Sequence, residues 1–506
     1  MKKVLVLLLA MVMIVMSFAG CGEKKASKIG DGTELSIFMH FYGTVFDDEW
    51  PVFQKAAELT GVSLTGTAST VQTDSSAAYN NMLVEGKLPD IIHYFGTDLT
   101  DLGLEGGVIP LEDLIEEYAP NIQKFFEDCP EAKRRATASD GHIYYIPGSL
   151  SGIDKAAVPS QGWFIRQDWL DKLGLKTPTN VDEFYEVMTT FRNGDPNGNG
   201  IKDEVPVFHR SSIGFLYPLF GLNNGWYLKD GVVTLGSVEE NYKEAIINIR
   251  KWYKEGILDK EIFTRGGQAR EQLLSTNLGG CTHDWFSSTG GYNSLYSESV
   301  NGLNFVAMAP PADVNGNQIE MCSRNLLHDL GWGISKDNEN IEETMKYFDF
   351  WFTQEGQDLR SFGVEGIHYN VVDGEKQFTD AVLKSEEGAV NYLKTQGANL
   401  ELPTIGNLEA ELRGMNEIAR AGFEMYDNGG FVIQQFANPK FTDEEQKILN
   451  KYYNDIDTYI DEMEQKWILG VEDIEKGWDK YLATLKKMNV DQVIKIYQTA
   501  YARDNK

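Results

Sequence analysis

Residues 34–61 read ELSIFMHFYGTVFDDEWPVFQKAAELTG. The first eight are a strand candidate, and DEWPVFQKAAELTG (48–61) has helical character with a glycine stop. The alternation continues with VSLTGTA (62–68) as a second strand and SSAAYNNMLVEGK (75–87) as a second helix. PDIIHYF (89–95) then supplies a third strand, short and apolar like those buried in parallel sheets. Strand–helix–strand order with crossovers predicts an α/β sheet. Ligands of such sheets bind beyond the carboxyl ends of the strands. That rule singles out Tyr42, after the first strand, and Tyr94, at the end of the third.

Upstream, the chain opens MKKVLVLLLAMVMIVMSFAGCGEKK. Two lysines, an apolar run and small residues before Cys21 give the order of a secretory signal peptide. The run is too short to span a bilayer comfortably, which takes about 20 residues. The small-small-Cys ending resembles a bacterial lipobox, so residues 1–20 are expected to be removed and Cys21 to carry lipid such as palmitate. Residues 21–33 then form the lipidated Cys and a polar tether. The expected location is the outer face of the cell membrane, lipid-anchored, with the remainder soluble.

The other cysteines are Cys129, Cys281 and Cys322, which allow at most one internal disulfide, so a core and not a disulfide framework must hold the fold. The 46 basic and 76 acidic residues leave a net charge of −30, which excludes a nucleic-acid partner because phosphate binding needs a basic face. A chain of this length is too long for one core. A second region begins near WFIRQDWLDKLGLKTPTNVDEFYEVMTTF (163–191), where Asn180 and Glu183 have capping-box spacing. Strand signals return at NFVAMAPP (304–311) and LGWGIS (330–335). Beyond Thr442, the residues Leu449, Tyr452, Tyr453, Ile456, Ile460, Met463 and Trp467 form one apolar helical stripe, which reads as core.

The string WFIRQDWLDKLGLKTPTNVDEF resembles the entry into the second lobe of extracellular solute-binding proteins of bacterial ABC importers. So do WYKEGILDKEIFT (252–264), GVEGIHYNV (363–371) and IYQTAYAR (496–503). The chain is most similar to the large lipoproteins of that family that bind oligosaccharides, including the calcium-containing alginate oligosaccharide-binding proteins. Gln167 and Asn180 depart from the usual charged residue and Thr. The resemblance implies an α/β, two-lobe periplasmic-binding-protein-like fold with hinge crossings and a large helical C-terminal part. It implies lobe one from 34–158 plus about 300–362, and lobe two from 159–299 plus about 363–506. Its partners would be an oligosaccharide, ABC permease subunits and the membrane, with the receptor a monomer. A uronate such as alginate is not carried over, because the strong negative charge disfavours a polyanion.

One stretch poses a separate question. DPNGNGIKDE (195–204) places Asp195, Asn197, Asn199, Gly200, Ile201 and Asp203 at positions 1, 3, 5, 6, 7 and 9 of an EF-hand calcium loop. Pro206 occupies position 12, where the bidentate Glu belongs, and Glu204 stands beside Asp203 instead. Half an EF-hand with a strand leaving it is expected, holding a structural Ca2+ through Asp195, Asn197, Asn199, Asp203, Glu204 and the Ile201 carbonyl. An ion-free Asn-Gly turn is the alternative. DVNGNQIEM (313–321) starts with the same spacing but lacks the turn glycine and the later carboxylate, so it reads as a hairpin turn.

Sugar sites combine aromatic platforms with fixed polar groups. Tyr42 and Tyr94 on the first lobe, and Trp163, Arg166, Trp226, Tyr227, His283, Asp284, Trp285 and Glu365 on the second, are the candidates, Trp285 foremost. Read differently, His283–Asp284 could be a catalytic pair of a glycoside-processing enzyme, but no HExxH, GxSxG or fixed carboxylate spacing supports one. A third reading keeps the fold and changes the cargo to a peptide or other signal molecule.

Overall fold

The computed structural model describes residues 32–505 except 156, 224, 323, 386 and 387. The signal peptide, Cys21 and nearly all of the tether lie outside the described residues.

Two sheets organise the molecule. In the first, Thr33–Phe41 runs parallel to Val62–Gly66 and to Ile91–Phe95. The helices Pro51–Thr60 and Ser75–Glu85 supply the crossovers. Gly61 and Gly86 end them in the left-handed conformation, which a residue without Cβ adopts freely. Leu330–Ile334 then pairs antiparallel between Ile91–Phe95 and Ile146–Pro147. Along the first strand Leu35, Ile37, Met39 and Phe41 alternate with Phe38 and His40, and all six are buried. Burial on both faces is what a near-continuous apolar strand requires.

The second sheet has the order Phe305–Met308, Gln161–Arg166, Gly279–Trp285, Val205–Val207. Trp163 and Ile165 enter one core and Phe164 another, so this sheet too is covered on both sides. The helix Val181–Asn193 starts at Asn180, whose side chain accepts from the Glu183 amide, while the Glu183 carboxylate accepts from Thr179. The helix Asp443–Ile468 begins with a full capping box at Thr442 and Glu445. Its buried Leu449, Ile456, Ile460, Met463 and Trp467 join the second sheet's core, with Tyr452 and Tyr453 packed at the margin.

The pieces sharing each core differ from the expected division. Phe305–Met308 pairs with Gln161–Arg166 in the second sheet, and the first core retains the chain from Leu327 to Ala410. Alternation along a strand fixes which side chains share a face, but it does not say which sheet edge accepts the strand. The chain therefore passes between the cores three times, near 147–158, 309–326 and 411–418. Cys129 is buried in the first core and Cys281 in the second, both as free thiols. Among the described residues no helix is long and apolar enough to cross a membrane.

Candidate functional site

The crossings mark one end of each sheet. The chain leaves the first sheet after Pro147 and re-enters it at Leu330, which is paired with Phe95. It enters the second sheet at Gln161, paired with Trp285, and leaves after Met308. Phe95, Phe41 and Tyr42 thus lie at the crossing end of one sheet, and Trp285 lies at the crossing end of the other.

On the first lobe, Tyr42 follows its strand with φ +48° and is 76% exposed. Its ring packs edge-on against Phe41 and half-buried Phe95, at 6.1 and 6.3 Å between centroids. A large exposed ring held by a left-handed backbone on two other rings is a platform that the core does not need. Its phenol is raised above the ordinary value by partial burial, then by Glu401 and Asp329. Asp329 pairs with Arg135, which also donates to the Leu327 carbonyl.

On the second lobe, consecutive residues of Gly279–Trp285 point to opposite faces. His283 goes one way, 2.9 Å from Glu320 and edge-on to Trp163. Burial pushes its imidazole down, but the Glu320 carboxylate outweighs this and leaves it raised. Asp284 goes the other way, buried, and accepts from Arg210 Nε at 2.8 Å and Nη2 at 2.9 Å, with Arg270 at 3.4 Å. Each side chain is in its own ion pair, so the two do not form a dyad. Half-buried Trp285 closes the strand, and the Arg324 guanidinium lies 5.7 Å from its ring centroid. Arg324 also donates to Ser151 at 2.7 Å and to Glu411 at 2.6 Å. One arginine therefore ties together all three crossings and the foremost candidate aromatic.

Several expected ligand residues lie elsewhere. Tyr94 is 2% exposed, stacked on Tyr79 with centroids 4.1 Å apart, so it fills the core. Trp163 is buried between Phe184, Phe215 and His283. Arg166 is buried at the far end of its strand, bonded to Asp168 and Asn277 and resting on Trp169. Trp226 stacks on Tyr497 at 3.7 Å, and Tyr227 bonds Glu239, against the C-terminal helices. Glu365 is exposed on the first core, in a turn bridged to Tyr369. Trp226 looked surplus because the helices that cover it, carrying Tyr453 and Tyr497, arrive more than two hundred residues later in the chain. Arg210 and Arg324 were not singled out from sequence. Arg210 follows the strand Val205–Val207 and could have been found by the strand-end rule, whereas nothing local marks Arg324.

A recess of about 620 Å³ opens between the lobes, lined by Leu104, Ser139 and Asp140 on one side and Lys440, Phe441 and Asp443 on the other. Lys440 reaches the Thr137 carbonyl across it, and Asp443 accepts from Ser139 at 3.0 Å.

The 195–204 loop sits at the opposite end of the second sheet from Trp285. It runs into Val205, which pairs with Gly279, the start of the seven-residue strand that Trp285 ends. At about 3.3 Å per residue the two are roughly 20 Å apart. Asp195, Gly198 and Gly200 take positive φ, giving the tight coil. Asn197 and Asn199 donate to the Asp203 carboxylate at 3.0 and 3.1 Å, and these amides offer an oxygen when turned. The Ile201 carbonyl accepts from the Asp203 amide. Glu204 is 2% exposed, and beyond its own backbone amide neither carboxylate oxygen has a partner. Asp195 Oδ1 is buried and equally unpartnered. Burial raises Glu204, and Asp203 and Asp195 add to that. Among the described residues no group of three or more His, Cys, Asp or Glu side chains is gathered as a metal cluster. A hard cation here would rely on amide and carbonyl oxygens as well as carboxylates, and the orphaned oxygens fit one.

Two α/β lobes, three chain crossings and aromatic groups at the crossing ends define a two-lobed ligand-binding receptor. Residues 60–358 match the bacterial extracellular solute-binding proteins, and the chain belongs to that family. It is 29% identical to the fructooligosaccharide ABC transporter substrate-binding protein FusA of Streptococcus pneumoniae, over 89% of this chain and 86% of that one. It is 22% identical to the polygalacturonan/rhamnogalacturonan-binding protein YtcQ of Bacillus subtilis, over 96% and 95% of the two chains. Among solved structures it resembles the alginate-binding protein AlgQ2 determined without calcium ion, with TM-score 0.82 and 37% identity over 95% of this chain and all of that one. The relatives named here are binding proteins.

Proposed function

We propose that this chain is the capture component of an ABC importer. In this reading it is a lipid-anchored receptor on the outer face of the cell membrane that closes two lobes on an oligosaccharide and hands it to permease subunits. The observation that carries the reading is the placement of Tyr42 and Trp285 at the crossing ends of two sheets, each beside charged groups already fixed by the protein. Sugar rings offer C–H faces to such aromatics and hydroxyls to such groups. Closure follows if the ligand touches both lobes at once, because it then binds the closed state better than the open one. Cys21 would hold the anchor, and the receptor would act as a monomer.

Ca2+ would be held by Asp195, Asn197, Asn199, Asp203, Glu204 and the Ile201 carbonyl. Its chemistry there is charge compensation. Its place at the far end of the sheet gives it a bracing role with no ligand contact.

Titration calorimetry against oligosaccharide and peptide panels tests the reading. A glycan should bind, and Trp285→Ala should weaken it roughly 10- to 100-fold, since a sugar-stacking aromatic contributes on the order of 1–3 kcal/mol. Binding of peptides alone, or release of reducing ends from the glycans, would overturn it.

A further inference from the structure

The relatives named above divide between a neutral fructan and polyuronates, and the charges at the crossing ends bear on which kind of sugar this chain takes. An anionic sugar is held by cations free to meet its carboxylates, above all by arginine forks open along one edge. Here most of the cations are already paired with the protein's own carboxylates. The Nε and Nη2 edge of Arg210 is filled by buried Asp284, which leaves its two Nη1 hydrogens and the second Nη2 hydrogen, on a side chain 33% exposed. Arg270, which shares Asp284, is buried and spends its Nη1 on Ser288 and Thr289. Arg324 is held by Glu411 and Ser151, Arg135 by Asp329, and Lys155 by Asp427. Lys394 is half-buried, with its amine pushed down by burial against the opposing charge of Glu401.

The same holds in the recess between the lobes. Lys440 is committed to the Thr137 and Ala138 carbonyls, and Arg503 to both oxygens of Glu445. The exposed platform Tyr42, meanwhile, lies near the Glu401 and Asp329 carboxylates, the latter paired with Arg135.

We propose that the ligand is an uncharged oligosaccharide, its hydroxyls satisfied by donors such as the Nη1 group of Arg210 and its ring faces by Tyr42 and Trp285. This rests on the oligosaccharide reading above and narrows it. A chain of uronates would have to displace the protein's own carboxylates or lose its counter-ions to a closing cleft without replacement, which costs more than a neutral sugar loses.

The test is titration calorimetry of the purified mature chain against two sets of probes. The neutral set is kestose, xylotriose and cellotriose; the charged set is oligogalacturonate and alginate oligomers of similar length. A neutral probe should bind at least about tenfold more tightly than any uronate. Its affinity should change less than about twofold between roughly 0.01 M and 1 M salt, a range over which screening shortens from about 30 to about 3 Å. Uronate binding that is as tight or tighter, and that weakens steeply with salt, overturns the proposal and leaves the oligosaccharide reading standing. Peptide binding with neither sugar set bound overturns both.

Discussion

Two acidic turns of this protein carry nearly the same sequence, DPNGNGIKDE at 195–204 and DVNGNQIEM at 313–321, and their carboxylates meet different ends. In the second turn every acid has a protein partner. Asp313 accepts from the Asn315 and Asn317 amides, both at 2.8 Å, and from the Asn317 side chain at 3.3 Å, while Glu320 pairs with His283. The turn is not the hairpin expected from its sequence, since Glu320–Cys322 leaves it to pair with Val432–Gln434. In the first turn both Glu204 oxygens and Asp195 Oδ1 are buried without such partners. What separates a turn from a cation loop is whether the fold supplies donors, because a desolvated carboxylate left alone is costly. Counting acids does not reveal it.

The largest effect that can break this contrast is the response to calcium. Adding Ca2+ at a hundredfold excess over its Kd to chelator-treated protein should stabilise it by about 3 kcal/mol. For a lobe of this size that amounts to roughly 5–10 °C in Tm by scanning calorimetry. In Glu204→Gln the response should shrink sharply, while the calcium-free Tm rises because an orphaned charge is gone. Identical melting with and without calcium would erase the distinction between the turns. A smaller effect is expected from Asp313→Ala, which orphans two backbone amides. It should cost about 1–3 kcal/mol in urea unfolding, by the same amount with calcium or chelator present. A calcium-dependent loss would make this second turn a cation site too.

The smallest effect is in pH. His283 is raised in the folded state by Glu320. The ion pair therefore contributes fully below the ordinary imidazole value of about 6.5 and is lost as pH rises through the higher folded value. Unfolding by urea should show less stability at about pH 8.5 than at about pH 6 from this pair, and Glu320→Gln should flatten that part of the profile. An unchanged profile in Glu320→Gln would show that the pair does not titrate in this way.

The sequence showed these contrasts unevenly. The first five elements were readable because each strand and helix there is local, with its own period and its own glycine stop. Trp285 and Tyr42, which lie at the crossing ends, were singled out by a rule about strand ends. Tyr94 obeyed the same rule, yet its side chain turns inward onto Tyr79, since alternation puts neighbouring residues on opposite faces. Trp226 and Arg166 failed for another reason. Tyr497, which covers Trp226, is distant in the chain, whereas Arg166 is held largely by its near neighbours Asp168 and Trp169, with Asn277 added from afar. Residues 195–204 stood out because the offsets of a calcium loop are consecutive in the chain. The cleft is assembled from three separated pieces, and Arg324, which joins them, carries no local signal.

The strand Leu330–Ile334 sits inside the first sheet, flanked by Ile146–Pro147 and Ile91–Phe95, segments made far earlier in the chain. A polypeptide delivered amino end first thus cannot finish its opening half until most of its length has emerged, and the second half waits for the final helices. A truncation anywhere before residue 330 should accordingly leave two incomplete halves, not one finished one.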